Sequence, residues 1–288
     1  MSVTPAHLIG PEHSTDTAAL PLVPSPAAHG LSVALALVVA SAAGLTLIVP
    51  DVLHGPAAMN GSARGTAAVM LVAGVPVLLA GQLATRRRIA RGVPVWLGAV
   101  AYLLYNAFML IFGTPFNALF LLYVASLSLA LWTLVAALHV LNVPGLISGS
   151  GPAAPRRAIA VFAGAVAVLN AAAWLRGIVP ALAEGADPTV LQGTGLTTIP
   201  TYVQDLAVWL PLMGVAATWL WRGLAWGSLV VAAMLVQWVL EAVTISVDQY
   251  LGSTADPTSP VVSAAMSPAF GLFAIVLLVP TVALLRRM

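Results

Sequence analysis

Residues 30–50 read GLSVALALVVASAAGLTLIVP, a bilayer-length stretch without one charged side chain. Peptide N–H and C=O groups cannot be left bare in hydrocarbon, so such a run is read as a spanning helix of about 20 residues. Outward from it the same signature recurs at 66–85, 93–112, 115–141, 157–180, 201–221, 224–247 and 260–285. Hydrophobic residues make up 60% of the 288 positions and charged residues only 7%, with a mean hydropathy of +1.01. A soluble chain of this length would need a charged shell that is absent here. The fold expected is therefore all-α, a polytopic membrane helix bundle of about eight transmembrane helices in the lipid bilayer.

Composition also excludes chemistries. The chain has no cysteine, which removes disulfides and thiolate-ligated metal clusters, and all eleven basic residues are arginine, which removes lysine-based covalent catalysis. The pI near 9.4 accompanies a net charge of only +2. Because the arginines flank helix ends, they are assigned to topology and no nucleic-acid partner is expected. Residues 1–28 are rich in Pro, Ala, Thr and His and lack the basic n-region of a secretory signal, so they are read as a flexible cytoplasmic tail.

Some helix ends carry recognisable chemistry. Thr114-Pro115 and Ser259-Pro260 pair a capping side chain with a proline, predicting helix starts, and Thr201 with Gln204 has capping-box spacing. Arg86, Arg87, Arg88 and Arg91 lie between the second and third spans, Arg156 and Arg157 between the fourth and fifth, and Arg222 between the sixth and seventh; Arg286 and Arg287 follow the eighth. With eight spans all nine fall on one side, leaving Arg64 and Arg176 elsewhere. The positive-inside rule then predicts a cell-membrane protein with both termini cytoplasmic, and places Asp51, Glu184, Asp187, Asp248 and Asp256 outside.

Two stretches resemble each other. Pro76 precedes Arg86 to Arg91, then Gly92, Trp96, Gly98 and Asn106; Pro211 precedes Arg222, Gly223, Trp226, Gly227 and Gln237. After the tryptophans the spacings agree within one residue, and the arginine hairpin reads as longer in the first copy. One reading is two four-helix halves, 29–144 and 156–288, in parallel repeat about an axis along the membrane normal and joined by a linker at 145–155. The other is chance similarity between Arg-Gly-Trp hairpins.

The stretch Tyr102-Leu-Leu-Tyr105-Asn106, followed by Phe112-Gly113-Thr114-Pro115-Phe116-Asn117-Ala-Leu-Phe-Leu-Leu-Tyr123, resembles a set of bacterial multi-pass membrane proteins, as does the hairpin from Leu220-Trp221-Arg222 to Trp226-Gly227. The resemblance covers about a third of the chain. It implies an integral membrane protein and, because no activity is assigned to that set, transfers no catalytic residue.

Polar groups at bilayer depth need a reason, since a charge there costs about 2.5–3.5 kcal/mol on insertion scales. Gln237, Glu241, Thr244 and Asp248 recur at helical spacing along one face of the seventh span. Asp205, Arg176, Tyr102, Tyr105 and Asn106, together with Asn117, Tyr123 and Asn170, are placed in the same outer half, against inner halves of Ala, Val and Leu. The expectation is an outward-facing polar cavity in which Glu241, Arg176, Asp205, Asn106, Gln237 and Tyr102 bind ligand. The alternative is a structural clamp pairing Arg176 with Asp205 or Glu241, with Trp174, Trp209 and Trp238 as belt residues.

His29 and His139 sit near cytoplasmic ends and read as interfacial, no metal or nucleophile motif is present, and no cofactor is assigned. Small-residue pairs such as Ala40/Gly44 and Ala160/Gly164 read as close helix packing. Three functions stay open: binding or transport of a small-molecule or lipid ligand, a non-catalytic membrane scaffold or complex subunit, and an enzyme acting on a lipid-linked substrate. The oligomeric state is not legible.

Overall fold

A computed structural model of the chain describes residues 25–147 and 155–288. Most of the expected tail at 1–28 and of the expected linker at 145–155 lies outside these residues. Among the described residues eight helices are long and apolar enough to cross a membrane: α1 (Pro26–Ile48), α2 (Ala57–Arg86), α3 (Gly92–Phe112), α4 (Phe120–His139), α5 (Arg156–Glu184), α6 (Pro200–Trp221), α7 (Ala225–Ala255) and α8 (Met266–Leu285). The bundle is all-helical among the described residues. Its centre is α3 and α7, where 67% and 56% of the apolar window is buried, against 22% in α5 and α8.

Several boundaries differ from the sequence expectation, each for a local reason. Ser25 caps α1 by accepting the Ala28 N–H, so residues 26–28 belong to the helix and not to the tail. Thr114 does not open α4; its hydroxyl bonds back to Leu110 O at 2.6 Å, closing α3, and Asn117 Oδ1 accepts from Leu119 N before α4 begins at Phe120. No capping box forms at Thr201 and Gln204, because Thr201 turns to Met109 Sδ and Gln204 Oε1 accepts the Trp209 indole N–H. Ser259 makes only a local bond to Val261 N, and α8 starts seven residues on, at Met266. Beyond α7, Asp256 accepts both the N–H and the hydroxyl of Thr258, which holds its carboxyl below the usual carboxylate range.

Helices α2 and α7 run past their expected ends because small residues let their backbones approach. A Cβ on Gly61 would sit 2.5 Å from Leu251 O, and one on Gly65 would sit 2.6 Å from Asp248 Oδ1. Gly61 and Gly65 are four apart on one helix face, so α2 lies directly against α7 there. Asp248 is consequently not in a loop: Thr66 donates to its Oδ2 at 3.0 Å, and its Oδ1 is buried without a partner.

The hairpins α2–α3 and α6–α7 carry one backbone pattern at a constant interval of 135 positions (211 − 76 for the prolines, 227 − 92 for the glycines). Five-residue π-helical stretches, Met70–Gly74 and Asp205–Trp209, each run up to the residue before Val75-Pro76 and Leu210-Pro211. A proline removes one ladder donor and crowds the preceding turn, and a π turn gives it room. Each helix then ends in a Schellman motif. Ile89 N donates to Ala84 O and Leu224 N to Trp219 O, both at 3.0 Å. Arg88 (φ 60°) and Gly223 (φ 75°) occupy the same left-handed position. Gly92 seats on the backbone of Ala84 and Thr85 as Gly227 does on Trp219 and Leu220. The arginine hairpin is therefore not longer in the first copy. The counterpart of Asn106 is Glu241, not Gln237, because the glycines and not the tryptophans set the register.

Candidate functional site

A cavity of about 490 Å³ lies between α5, α6, α7 and α8. Its polar wall comes from the two ends of the α6–α7 hairpin. Asp205 and Glu241 are each sixteen residues from the arginine-bearing turn (221 − 205 and 241 − 225), hence at one level, about 24 Å away at helical rise. Asn170 and Trp174 face them from α5, and Gln237 lines the wall one turn below Glu241. The remaining surface is aromatic and aliphatic: Tyr105, Trp238, Phe270 and Phe273 among rings, with Leu169, Ile245 and Met266.

Both carboxyl groups are held by neutral donors. Trp174 Nε1 donates to Asp205 Oδ2 at 2.8 Å, with the Tyr105 hydroxyl alongside. Asn106 Nδ2 donates to Glu241 Oε2 at 2.9 Å while also bonding Tyr102 O at 3.1 Å, so α3 orients the Glu241 side chain from behind. Gln237 is 1% exposed and its Oε1 has no partner. The π turn at Asp205–Trp209 sits at the wall itself, and such turns re-aim the side chains around them.

The cavity opens sideways. Leu169 on α5 and Met266 on α8 line it and are 69% and 45% exposed, so its mouth lies between two peripheral helices on the flank of the bundle. The corresponding space in the first hairpin is filled. There Met70 takes the place of Asp205, and Tyr102, fully buried, takes that of Gln237. Gly74 makes room for the Tyr102 ring, a Cβ there falling 2.6 Å from Tyr102 Cε1, whereas the matching position in the second hairpin holds Trp209.

Of the six residues singled out from sequence, Asp205, Gln237 and Glu241 line the cavity and Asn106 supports it. Tyr102 does not reach it; its hydroxyl bonds Thr244 Oγ1 at 2.7 Å on another side of α7. Arg176 is exposed and is not among the residues that line this cavity. Two residues beyond Trp174 it points about 200° round α5, which is why the expected clamp with Asp205 or Glu241 does not form. Of the three tryptophans read as belt candidates, Trp174 holds Asp205, Trp209 bonds Gln204 and Trp238 lines the cavity. Phe270 and Phe273 went unnoticed in the sequence because nothing in an all-apolar span distinguishes a cavity wall from a lipid face.

A larger groove of about 670 Å³ runs between α5 and α6, but it is apolar apart from Thr218, whose hydroxyl is spent on Gly214 O. His29 stacks flat on Trp96 at 4.8 Å, and no group of three or more metal-ligating side chains occurs among the described residues. Comparison with protein-family models, with curated proteins and with solved structures returns no match.

Proposed function

We propose that this multi-pass membrane protein binds a small apolar or lipidic solute that reaches the cavity sideways from the bilayer. The observation that carries the reading is the flank-opening 490 Å³ cavity, whose apolar mouth leads to Asp205, Glu241 and Gln237. Volumes of this order suit drug-sized ligands, and a few converging polar groups in an apolar wall are what fixes such a ligand. Intramembrane carboxyls are costly to bury, and those facing a cavity point to a ligand or ion site. The ligand-binding set is Asp205, Glu241 and Gln237, with Asn106 positioning Glu241.

Movement of the solute is supported by the paired hairpins. Residues 29–144 and 156–288 are read as two four-helix halves in parallel repeat, and equivalent residues touch where the halves meet: a Cβ on Gly98 would collide with Ala233 O, 135 positions on. Contact between equivalent positions is what an axis between the halves produces, and rocking of one half on the other is the usual use of such repeats. The arginine-bearing turns are assigned to the cytoplasm and the cavity to the outer half. Labelling from outside the cell of a cysteine introduced in the 86–91 turn tests that orientation, and labelling there reverses it.

Glu241→Gln is the decisive variant. Loss of solute-dependent thermal stabilisation with an intact fold supports binding. Unchanged solute response returns the chain to the scaffold reading, and loss of turnover on a lipid-linked substrate would make it an enzyme.

A further inference from the structure

We infer that the ligand of this cavity is a lipophilic ammonium ion, an apolar body carrying a cationic head with N–H donors; this rests on the cavity being a binding site. The charge-bearing groups at the cavity's polar end are carboxyls, set among neutral amides, hydroxyls and indoles. Asp205 and Glu241 are its only carboxyl side chains, and no arginine or histidine lines it among the described residues. Each carboxyl takes its hydrogen bond from a neutral group, Trp174 Nε1 or Asn106 Nδ2, so the protein supplies no balancing positive charge. Gln237 Oε1, buried and unpartnered, adds a third acceptor in the same wall.

A buried carboxylate requires a proton or a cation, and two carboxyls lining one cavity make that requirement twice over. Trp174, Trp238 and Tyr105 line the same cavity, and aromatic rings are the neutral side chains that best tolerate a cation beside them. A phospholipid amine is disfavoured by the same inventory: its phosphate would meet two acids and no basic side chain. The apolar mouth between Leu169 and Met266 admits the ligand's body from the hydrocarbon. The head thus approaches carboxyls already oriented by Trp174 and Asn106, the condition under which charge-assisted hydrogen bonds are strongest.

The test uses the full-length protein in phosphatidylcholine nanodiscs and four probes of one shape: 1-adamantylamine, its N-trimethyl derivative, 1-adamantanol and adamantane-1-carboxylate. Binding is read by quenching of tryptophan fluorescence and by thermal shift. The amine is expected to bind at least tenfold more tightly than the alcohol, the trimethyl cation to fall between them, and the carboxylate not to bind. Asp205→Asn and Glu241→Gln are expected to weaken the amine tenfold or more and the alcohol less than twofold. Equal affinity for amine and alcohol in the unaltered protein would overturn the ammonium assignment and leave the cavity reading standing. Failure of all four to bind would overturn both. Replacing the lipid with phosphatidylethanolamine is expected to leave amine affinity unchanged, and competition by that lipid would overturn the exclusion of phospholipid amines.

Discussion

Asn106 and Glu241 are joined by a 2.9 Å hydrogen bond and stand 135 positions apart, the interval that also separates Pro76 from Pro211 and Gly92 from Gly227. One position of the hairpin pattern therefore meets its own counterpart across the bundle, as Gly98 meets Ala233 two turns nearer the arginine turns. The contact is asymmetric in chemistry: an amide on one side and a carboxyl on the other. It puts the cavity's acid on the seam between α3 and α7, the two most buried helices.

Removing one partner of that bond should expose how the acid is held. Asn106→Leu strips Glu241 of its donor and is expected to destabilise the bundle by about 1–3 kcal/mol, the cost of leaving a buried polar group unsatisfied. Adding Glu241→Leu should recover part of the loss, because an apolar pair needs no partner. Chemical unfolding of the two single variants and the double variant in mild detergent checks this. Strict additivity of the three would mean that the two side chains do not interact.

Arg176→Gln separates the cavity from the clamp expected from sequence. The side chain is exposed and does not line the cavity, so the substitution should leave stability within about 0.5 kcal/mol. Probe affinity should stay within twofold, while Asp205→Asn abolishes the preference for a cationic head. A tenfold loss on Arg176→Gln, read by the same fluorescence titration, would bring the arginine back into the site.

What the sequence disclosed follows from which signals are local. Span number and the arginine asymmetry were legible because hydropathy and charge need no knowledge of neighbours. Asp205, Gln237 and Glu241 stood out as polar residues in apolar runs, and all three face one cavity. Arg176 stood out for the same reason and faces away, since its direction depends on where the α5 helix turns relative to Trp174. The extension of α7 to Ala255 was hidden because Gln249, Tyr250, Ser253 and Thr254 read as loop; packing against Gly61 and Gly65 of α2 keeps them helical. The hairpin register was misread through Trp96 and Trp226, one fully buried and one 39% exposed, which do not correspond.

The π turn in α6 should be essential to the cavity and its counterpart in α2 should not. Deleting Val208 converts Asp205–Trp209 to ordinary α-helix; the flanking Thr201 and Gln204 stay close to register, since the π stretch absorbs one extra residue per wide turn, and the change falls on the side chains of the stretch itself, Asp205 first among them. Probe-dependent stabilisation is then expected to vanish in protein that still elutes as a monodisperse species. Deleting Ala73, the matching position in Met70–Gly74, should lower thermal stability but preserve the probe response of whatever folds. The same response in both deletions would mean that the π turn does not aim Asp205.

The two Schellman motifs offer a comparison within one molecule. Arg88 and Gly223 hold the same left-handed conformation, with φ of 60° and 75°, and make the same i−3 backbone bond to Thr85 O and Leu220 O at 2.9 and 3.0 Å. A side chain in that region costs about 1–2 kcal/mol and glycine avoids the penalty. Arg88→Gly should therefore stabilise the first hairpin by up to about 1 kcal/mol, even though it removes one charge from the arginine cluster. Gly223→Ala should destabilise the second by a similar amount. Arg88 also contributes to orientation, so the two effects need separating by Arg88→Asn, which removes the charge but tolerates the left-handed region better than most residues. If the asparagine variant matches or exceeds wild-type stability while labelling of the 86–91 turn is unchanged, backbone strain and not charge governs that position. If its stability falls as far as that of Arg88→Ala, the guanidinium itself is holding the turn.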